Sequence, residues 1–330
     1  RGEGERAFGA LLKAWDRPGK WRTIPGVCFA DARGYHDGGM AEHVADLDAM
    51  PSPYANSLAG FSKPFVQIET SRGCSNTCAF CTSGTGSGVR RRSIARVRRD
   101  LDHIREAGVP YVRILDRTFN DLPRRSIALL RLLRDDYPGI RFHLEIDPAR
   151  ITKTFLSELA LAAPDRFHLE VGVQSLQPAV YRAIGRQATV GRTLDGVVRL
   201  CALRQAVHVD LVAGLPAATW RDLRDDLRRI VSLAPGTIQV ELLKALPGTR
   251  LRREAASWDL IHAPDPPYEV LQTATMTHAE LQQARRLGQA VDWFYNALPL
   301  QSVTQRASGA IADFWDLLLP FVGARVAPGT

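Results

Sequence analysis

Lysine, methionine and cysteine are scarce in this chain of 330 residues, which has Lys only at 13, 20, 63, 153 and 244, three methionines and five cysteines. No apolar run approaches the ~20 residues that a bilayer-spanning helix needs, which excludes a bundle of membrane helices. The opening Arg1-Gly2-Glu3-Gly4-Glu5 has no apolar core behind it, so it does not read as a signal peptide. It also has no initiator Met, which suggests a chain cut from a longer one. There is no solenoid-length repeat and no low-complexity tract. An odd number of cysteines, three of them packed into eight positions, is not the spread, even set of a secreted disulfide framework. It reads instead as metal ligation in a reducing cytoplasm, with Cys28 standing alone and Cys201 within an apolar helix pattern.

The net charge of +8 comes almost wholly from arginine. Most of it is spread over segments that also carry Asp and Glu. The one dense patch is Arg90-Arg91-Arg92 with Arg96, Arg98 and Arg99. A basic run alone is weak evidence for nucleic acid, and a solvated helix face is the preferred reading.

From residue 64 onward, short β-rich runs alternate with turn residues and amphipathic stretches, the pattern of a parallel sheet with helical crossovers. Strands are expected at Phe65–Glu69, Tyr111–Leu115, Arg141–Ile146, Phe167–Val173, His208–Ala213 and Thr237–Leu242, and helices near 93–107, 124–136, 152–162, 190–205 and 219–232. Ser93 and Thr152 read as N-caps, Gly108 and Gly139 as the glycines that end helices. Six such units predict an α/β fold, a partial (β/α)6 TIM-type barrel over residues 64–255. Residues 1–63 read as a Gly- and Pro-rich linker after a helix at Phe8–Trp15. Residues 256–330 read as a helical cap, with helices at Glu280–Asn296 and Ile311–Phe321. In such a barrel, functional side chains gather at the C-terminal ends of the strands. Unusual polar residues do fall there: Glu69 and Thr70, Asp116, Glu145 and Asp147, Gln174 and Ser175, Asp210 with Gly214. The turn at Gly214-Leu-Pro216 suggests backbone approaching a ligand.

The first of these strands runs directly into Cys74-Ser-Asn-Thr-Cys78-Ala-Phe-Cys81. Thiolates are the usual ligands of iron–sulfur clusters, and a [4Fe–4S] cube normally takes four. Three cysteines on one loop leave one iron open, the feature of a reactive rather than a structural centre. Structural zinc is the rival, but it needs a fourth ligand that neither His103 nor Cys28 obviously supplies.

The loop resembles the CxxxCxφC motif of the radical-SAM superfamily, with Phe80 as the aromatic before the last cysteine. The resemblance extends over roughly residues 60–255 and is similar to the Elp3/coproporphyrinogen-dehydrogenase type of core. It rests on His143-Leu-Glu145-Ile-Asp-Pro148, Glu170-Val-Gly-Val-Gln174-Ser-Leu, Arg186, Val209-Asp210-Leu-Val-Ala-Gly-Leu-Pro216 and Leu246-Pro-Gly-Thr249. It implies a [4Fe–4S] cluster on Cys74, Cys78 and Cys81, with S-adenosylmethionine chelated by the open iron and cleaved to a 5′-deoxyadenosyl radical. Arg186 would meet the methionine carboxylate, a contact suited to the planar guanidinium. Glu145, Gln174, Ser175 and Asp210 would reach the amino group or ribose, and Phe80 would lie near adenine through its backbone.

The stretch Val112-Arg-Ile-Leu-Asp116-Arg-Thr118-Phe-Asn120 departs from the Gly-Gly-Glu common after the second strand, with Asp116 or Thr118 as possible substitutes. That stretch is similar to cobalamin-binding radical-SAM proteins, as are Arg92-Ser-Ile94, Pro267-Tyr-Glu-Val-Leu271 and Trp293-Phe-Tyr-Asn296. Gly2-Glu-Gly-Glu5 resembles the exit from their cobalamin domain, and no DxHxxG motif is present. The resemblance therefore implies a parent that uses cobalamin, as a methyltransferase or a related C–H modifying enzyme, on a small-molecule or peptide substrate. A reductant such as flavodoxin or ferredoxin would serve it. Two alternatives stand beside this reading: a cobalamin-independent enzyme that modifies tRNA, and an electron-transfer module, which would have no need of Glu145, Gln174, Arg186 and Asp210.

Overall fold

The computed structural model describes residues 1–56, 64–83 and 88–323. Gly84 of the cysteine segment and the stretches 57–63 and 324–330 of the two flanking regions lie outside the described residues. The chain divides into two compact units, Arg1–Ser52 with Arg90–Arg92, and Pro53–Val89 with Ser93–Thr330.

In the first unit, secondary structure occupies the stretch that the composition suggests is a linker. A helix covers Gly4–Lys13, and a hairpin pairs Cys28–Asp31 with Gly34–Asp37. Aromatic contacts run from Trp15 through Trp21 and Phe29 to His36, with centroids 5.7, 5.7 and 5.2 Å apart. Arg90 pairs with Glu3, so part of the basic run is neutralised within this unit.

The second unit is built on six parallel strands: β1 (Val66–Ile68), β2 (Tyr111–Ile114), β3 (Arg141–Ile146), β4 (Phe167–Gln174), β5 (Ala206–Ala213) and β6 (Thr237–Leu242). They lie side by side in sequence order. The crossovers are α1 (Ile94–Glu106), α2 (Pro123–Asp135), α3 (Lys153–Ala160), α4 (Pro178–Ile184), α5 (Val190–Cys201) and α6 (Trp220–Val231). This is the mixed α/β, partial-barrel fold that the alternating pattern predicts. Ser93 and Thr152 accept hydrogen bonds from the amides of Arg96 and Phe155, each the N-cap of its helix. Gly108 takes φ of 71° after α1, whereas Gly139 is not among the positive-φ glycines.

One face of every central strand is fully apolar. Phe142, Leu144 and Ile146, then Phe167, Leu169, Val171 and Val173, then Val207, Val209 and Leu211, are all buried. They form one core with Leu129, Leu133, Phe155, Leu159, Val197, Leu200, Leu227 and Ile230 from the helices. The residues between them on the strands are half-buried and polar: His143 and Glu145, His168 and Glu170, His208 and Asp210. Strands wrapped on both faces would be apolar throughout, so this alternation marks a concave face that is left open.

The C-terminal region is helical, and His278–Ala290 (α7) is closed at its start by a capping box between Thr277 and Glu280. It continues into a π turn at Val291–Tyr295, so the single helix expected at Glu280–Asn296 has two parts. Asn296 then bonds both the amide and the carbonyl of Ile238, satisfying the edge of β6 as another strand would. The last helix, Phe314–Gly323, follows one at Leu298–Ala310 that the apolar pattern does not announce and that starts at a Pro. Among the described residues no helix is long and apolar enough to cross a membrane.

Helix α5 presses its Gly196 onto the turn Pro148–Arg150 that follows β3. A Cβ there would sit 2.0 Å from the carbonyl oxygen of Pro148, a backbone atom with nowhere to go. Gly196→Ala is therefore expected to destabilise the second unit by about 1–3 kcal/mol, the usual cost of overpacking, read as a lowered Tm in thermal unfolding.

Candidate active site

The cysteine segment leaves β1 with almost no regular structure, so side chains must place it. Asp116, just after β2, accepts from the amides of Thr70 at 2.6 Å and Ser71 at 2.8 Å, and from the Thr70 hydroxyl. Asp147, just after β3, accepts from the side-chain amide of Asn76 at 3.1 Å. Its own backbone is held by Asn120 through two further bonds. Between the last two cysteines, the amide of Ala79 donates to Ile184 at the end of α4, and its carbonyl accepts from Leu251, both at 2.8 Å.

Held this way, Cys74, Cys78 and Cys81 line one cavity of about 190 Å³ at the C-terminal ends of the strands. Its wall also contains Phe80, Thr118, Glu145, Gln174, Arg186 and Asp210, six of the eight residues expected to hold cofactor. Ser175 and Asp116 are not part of that wall. Ser175 is buried and donates to Asp226, which also accepts from the amide of Leu176 and from Gln177. Asp116 is buried with its carboxylate committed to Thr70 and Ser71, which corrects its expected role: it positions the loop and does not face the cavity. At Gly214, φ of 84°, a side chain would meet Leu281 of α7, Leu243 and Val270.

Four polar wall residues are not among the expected cofactor ligands: Asn76, Arg117, Asp147 and Glu170. Asp147 is expected only as a strand-end acid, without a role, and Glu170 could have been found from the polar alternation along β4. Arg186 follows α4, a helix of seven residues that is too short to show a period and that ends at Gly185 in the left-handed conformation. The Arg186 guanidinium donates to the carbonyls of Gly172 at 2.7 Å and Val173 at 3.4 Å and lies over the Tyr181 ring, while its buried Nε has no partner among the described residues.

The wall opposite the cysteines is crowded with carboxyls. Burial, then the charge of Glu170 and Glu145, pushes Asp210 up to about 8. Burial raises Glu145 to about 7, partly opposed by Arg117, whose Nη1 is 3.5 Å away. Glu170 shifts the other way: a hydrogen bond from His143 holds it below the ordinary value despite burial.

All five cysteines are free thiols. Among the described residues no three His, Cys, Asp or Glu side chains converge as they would on a single ion. The three thiols share a cavity without meeting at a point. The amides of Asn76 and Ser83 lie 3.4 Å from the sulfurs of Cys74 and Cys81, the kind of N–H···S contact that tunes an iron–sulfur centre. Burial raises the Cys78 thiol to about 11 with Arg186 opposing, so coordination is what would deprotonate it. The donor set therefore fits a cluster held by three thiolates.

Residues 68–230 match the radical SAM superfamily. The chain carries a radical SAM domain. Residues 256–317 match a family described as a protein of unknown function, DUF4080. An uncharacterized methyltransferase of Pyrococcus horikoshii is 25% identical over 79% of this chain and 58% of its own length. Among solved structures, the radical S-adenosylmethionine methyltransferase TsrM from Kitasatospora setae, with tryptophan substrate and a SAM analogue bound, superposes with a TM-score of 0.64. It shows 19% identity over 81% of this chain and 57% of its own. The cobalamin-dependent S-adenosylmethionine radical enzyme OxsB with aqua-cobalamin bound reaches 0.67 at 16% identity, over 100% of this chain and 57% of its own. These two likenesses speak to the fold of the radical SAM domain and its helical C-terminal region. The chain spans little more than half the length of each of these three proteins.

Two outcomes follow from the geometry of the radical SAM domain. Asp116→Ala strips three buried donors of their acceptor and should cost about 3 kcal/mol, with a lowered Tm and less iron taken up on reconstitution. The second concerns pH. Glu145 and Asp210 bind protons more tightly folded than unfolded, so the stability they confer is full below about pH 4 and is lost as pH rises through about 7 and 8. His168 and His208, which burial shifts downward, act oppositely but only below their ordinary 6.5. The Tm of the ligand-free chain should fall between pH 6.5 and 8, and the Glu145→Gln/Asp210→Asn double variant should flatten that slope.

Proposed function

We propose that this chain holds a [4Fe–4S] cluster on Cys74, Cys78 and Cys81 and cleaves S-adenosylmethionine reductively. Its parent is then a cobalamin-dependent radical methyltransferase or a related C–H modifying enzyme. The observation that carries this reading is one cavity lined by three free thiols from a single loop and, across from them, by Glu145, Gln174, Arg186 and Asp210. The fold shared with TsrM and OxsB, and the methyltransferase relative, support the parent's assignment.

When bound, the cluster supplies the electron that breaks a carbon–sulfur bond of the sulfonium; positioning is left to the protein, as for cofactors generally. Arg186 offers the methionine carboxylate a guanidinium already fixed by two backbone carbonyls, so little side-chain freedom is lost on binding. Glu145 and Asp210, raised by burial to about 7 and 8, can each donate a hydrogen bond when protonated or accept one when ionised, to an amino group or ribose hydroxyl. Thr118, 3.5 Å from the sulfur of Cys74, and Phe80, beside Cys81, close the wall next to the cluster. A low-potential reductant of the flavodoxin or ferredoxin kind would deliver the electron.

Anaerobic reconstitution should load about four irons and four sulfides per chain. The reduced protein should then form 5′-deoxyadenosine, or transfer a methyl group when cobalamin is added. Replacing any of Cys74, Cys78 or Cys81 by Ala should abolish both iron loading and product, and Arg186→Gln should weaken S-adenosylmethionine binding with iron content retained. Zinc in place of iron, or a cluster that survives all three Cys→Ala changes together, would end this reading.

A further inference from the structure

The end of β4 holds a backbone conformation that something must impose. Of the described non-glycine residues with positive φ, Gln174, at 69°, alone lies in the cavity wall. Contact of its Cβ with the backbone disfavours the left-handed region for such a residue by a factor on the order of ten. The Gln174 side chain lies back across Gly172, where an added Cβ would sit 2.5 Å from Gln174 Nε2. Gly172 and Val173 in turn give their carbonyls to Arg186. One bend of the chain thus sets both the wall amide and the wall cation.

The hold on that bend comes from helix α6 and not from the cavity. Asp226 stands on the core face of α6 among Leu223, Leu227 and Ile230, and is itself only 3% exposed. Its Oδ2 accepts from the Ser175 hydroxyl and the Leu176 amide, both at 2.8 Å. Its Oδ1 accepts from the Gln177 side-chain amide at 2.7 Å. The Ser175 oxygen also accepts from the backbone amide of Gln177 at 3.1 Å. Every residue from Ser175 to Gln177 is therefore tied to one carboxylate. The helix that carries it is fixed at its start by a capping box between Thr219 and Asp222. A carboxylate on the apolar face of a helix is costly to bury, and a well-packed apolar residue there would serve stability as well. What Asp226 holds accounts for its place.

We propose that Asp226 is a positioning residue for the S-adenosylmethionine site. By gripping Ser175, Leu176 and Gln177 it keeps Gln174 left-handed, and so keeps the Gly172 and Val173 carbonyls on Arg186. Asp226 is not part of the cavity wall and acts only through the residues it holds. Ser175 is its handle rather than a cofactor ligand. This inference rests on reading the cavity as the cofactor site, and adds to that site a residue from behind its wall.

The test is a double-mutant cycle on the reconstituted full chain, read as iron content and as S-adenosylmethionine affinity by calorimetry. Asp226→Ala should keep its iron and weaken binding about tenfold, the scale of the preference it no longer opposes. In a Gln174→Gly background the left-handed conformation is free of strain, and the same change should alter binding by less than about twofold. Asp226→Asn keeps an oxygen for Ser175 and Leu176 and can turn its amide to the Gln177 side chain, so it should stay within about threefold of normal. Leu223→Ala loosens the same helix face without touching the loop and should leave the affinity unchanged. If Asp226→Ala does not fold, Ser175→Ala carries the expectation instead, with a loss of about threefold. Affinity untouched by Asp226→Ala, or by Ser175→Ala in its stead, would overturn the proposal. So would loss of iron, a tenfold loss that persists with Gly at 174, or an equal loss in Leu223→Ala, each the mark of a structural role alone. An unaltered chain that takes up no iron or binds no S-adenosylmethionine would sink the cleavage reading, and this inference with it.

Discussion

Three thiolates can share one cluster only if a loop without helix or strand of its own is held to within a fraction of an ångström. Two buried carboxylates on neighbouring strands do that here. Asp116 fixes the segment where it leaves β1, by way of Thr70 and Ser71, and Asp147 fixes it at Asn76, between the first two cysteines. The backbone of Ala79 is clamped on both sides, by Ile184 and by Leu251. The loop's geometry is therefore inherited from β2, β3, the end of α4 and the short helix after β6, elements whose own positions the sheet and core determine. Burying a carboxylate is costly unless its oxygens are bonded: Asp116 is satisfied by Thr70 and Ser71, and Asp147 by Asn76 on one oxygen and the amide of Ala149 on the other.

The barrel was legible because its two faces are chemically different. Apolar residues at every second position of β3, β4 and β5, flanked by capped amphipathic helices, leave few other folds available, and five of the six strands were placed to within a residue at each end. What escaped is short or local. Helix α4 has too few residues for a period to register, yet it delivers both the anchor for Ala79 and Arg186. Six of the eight expected cofactor residues meet in one cavity because strand-end positions of a parallel sheet converge whatever the family. Ser175 and Asp116 occupy such positions too, but the direction of their side chains is set by Asp226 and by Thr70 with Ser71, partners far away in sequence. No local pattern encodes that.

The same alternation governs the site's electrostatics. A strand whose inner positions are His, Glu and Asp places titratable groups one above another, with adjacent strands only about 4.8 Å apart. Carboxyls that close cannot all ionise in a half-buried wall, and the direction of each shift follows from the balance of burial against hydrogen bonds and neighbouring charge. Glu170 has His143 and goes down; Asp210 goes up, first through burial and then through the charge of Glu170 and Glu145, although His208 Nε2 stands 3.3 Å from it. The cations Arg117 and Arg186 also belong to the cavity wall, with Arg186 close enough to Cys78 to oppose the effect of its burial. A zwitterionic amino acid end carries both signs, and such a wall can answer each.

Arg186 can serve as an anion site only if it does not collapse onto the nearest carboxylate, Asp147, 3.9 Å away. The bulge near the end of β4 explains why it does not. The register with β5 slips between Gly172 and Gln174, and Gln174 takes φ of 69°, so the ladder skips Val173. A bulge leaves backbone groups without strand partners. Here the Gly172 and Val173 carbonyls turn to the Arg186 guanidinium, and the Tyr181 hydroxyl also donates to Val173. The bulge that leaves Val173 out of the pairing thus fixes a cation at the cavity wall, with the Nε of that cation unpartnered among the described residues. A regular strand through Gln174 would keep its carbonyls in the ladder and release Arg186 toward Asp147, closing the position where a ligand's carboxylate is expected.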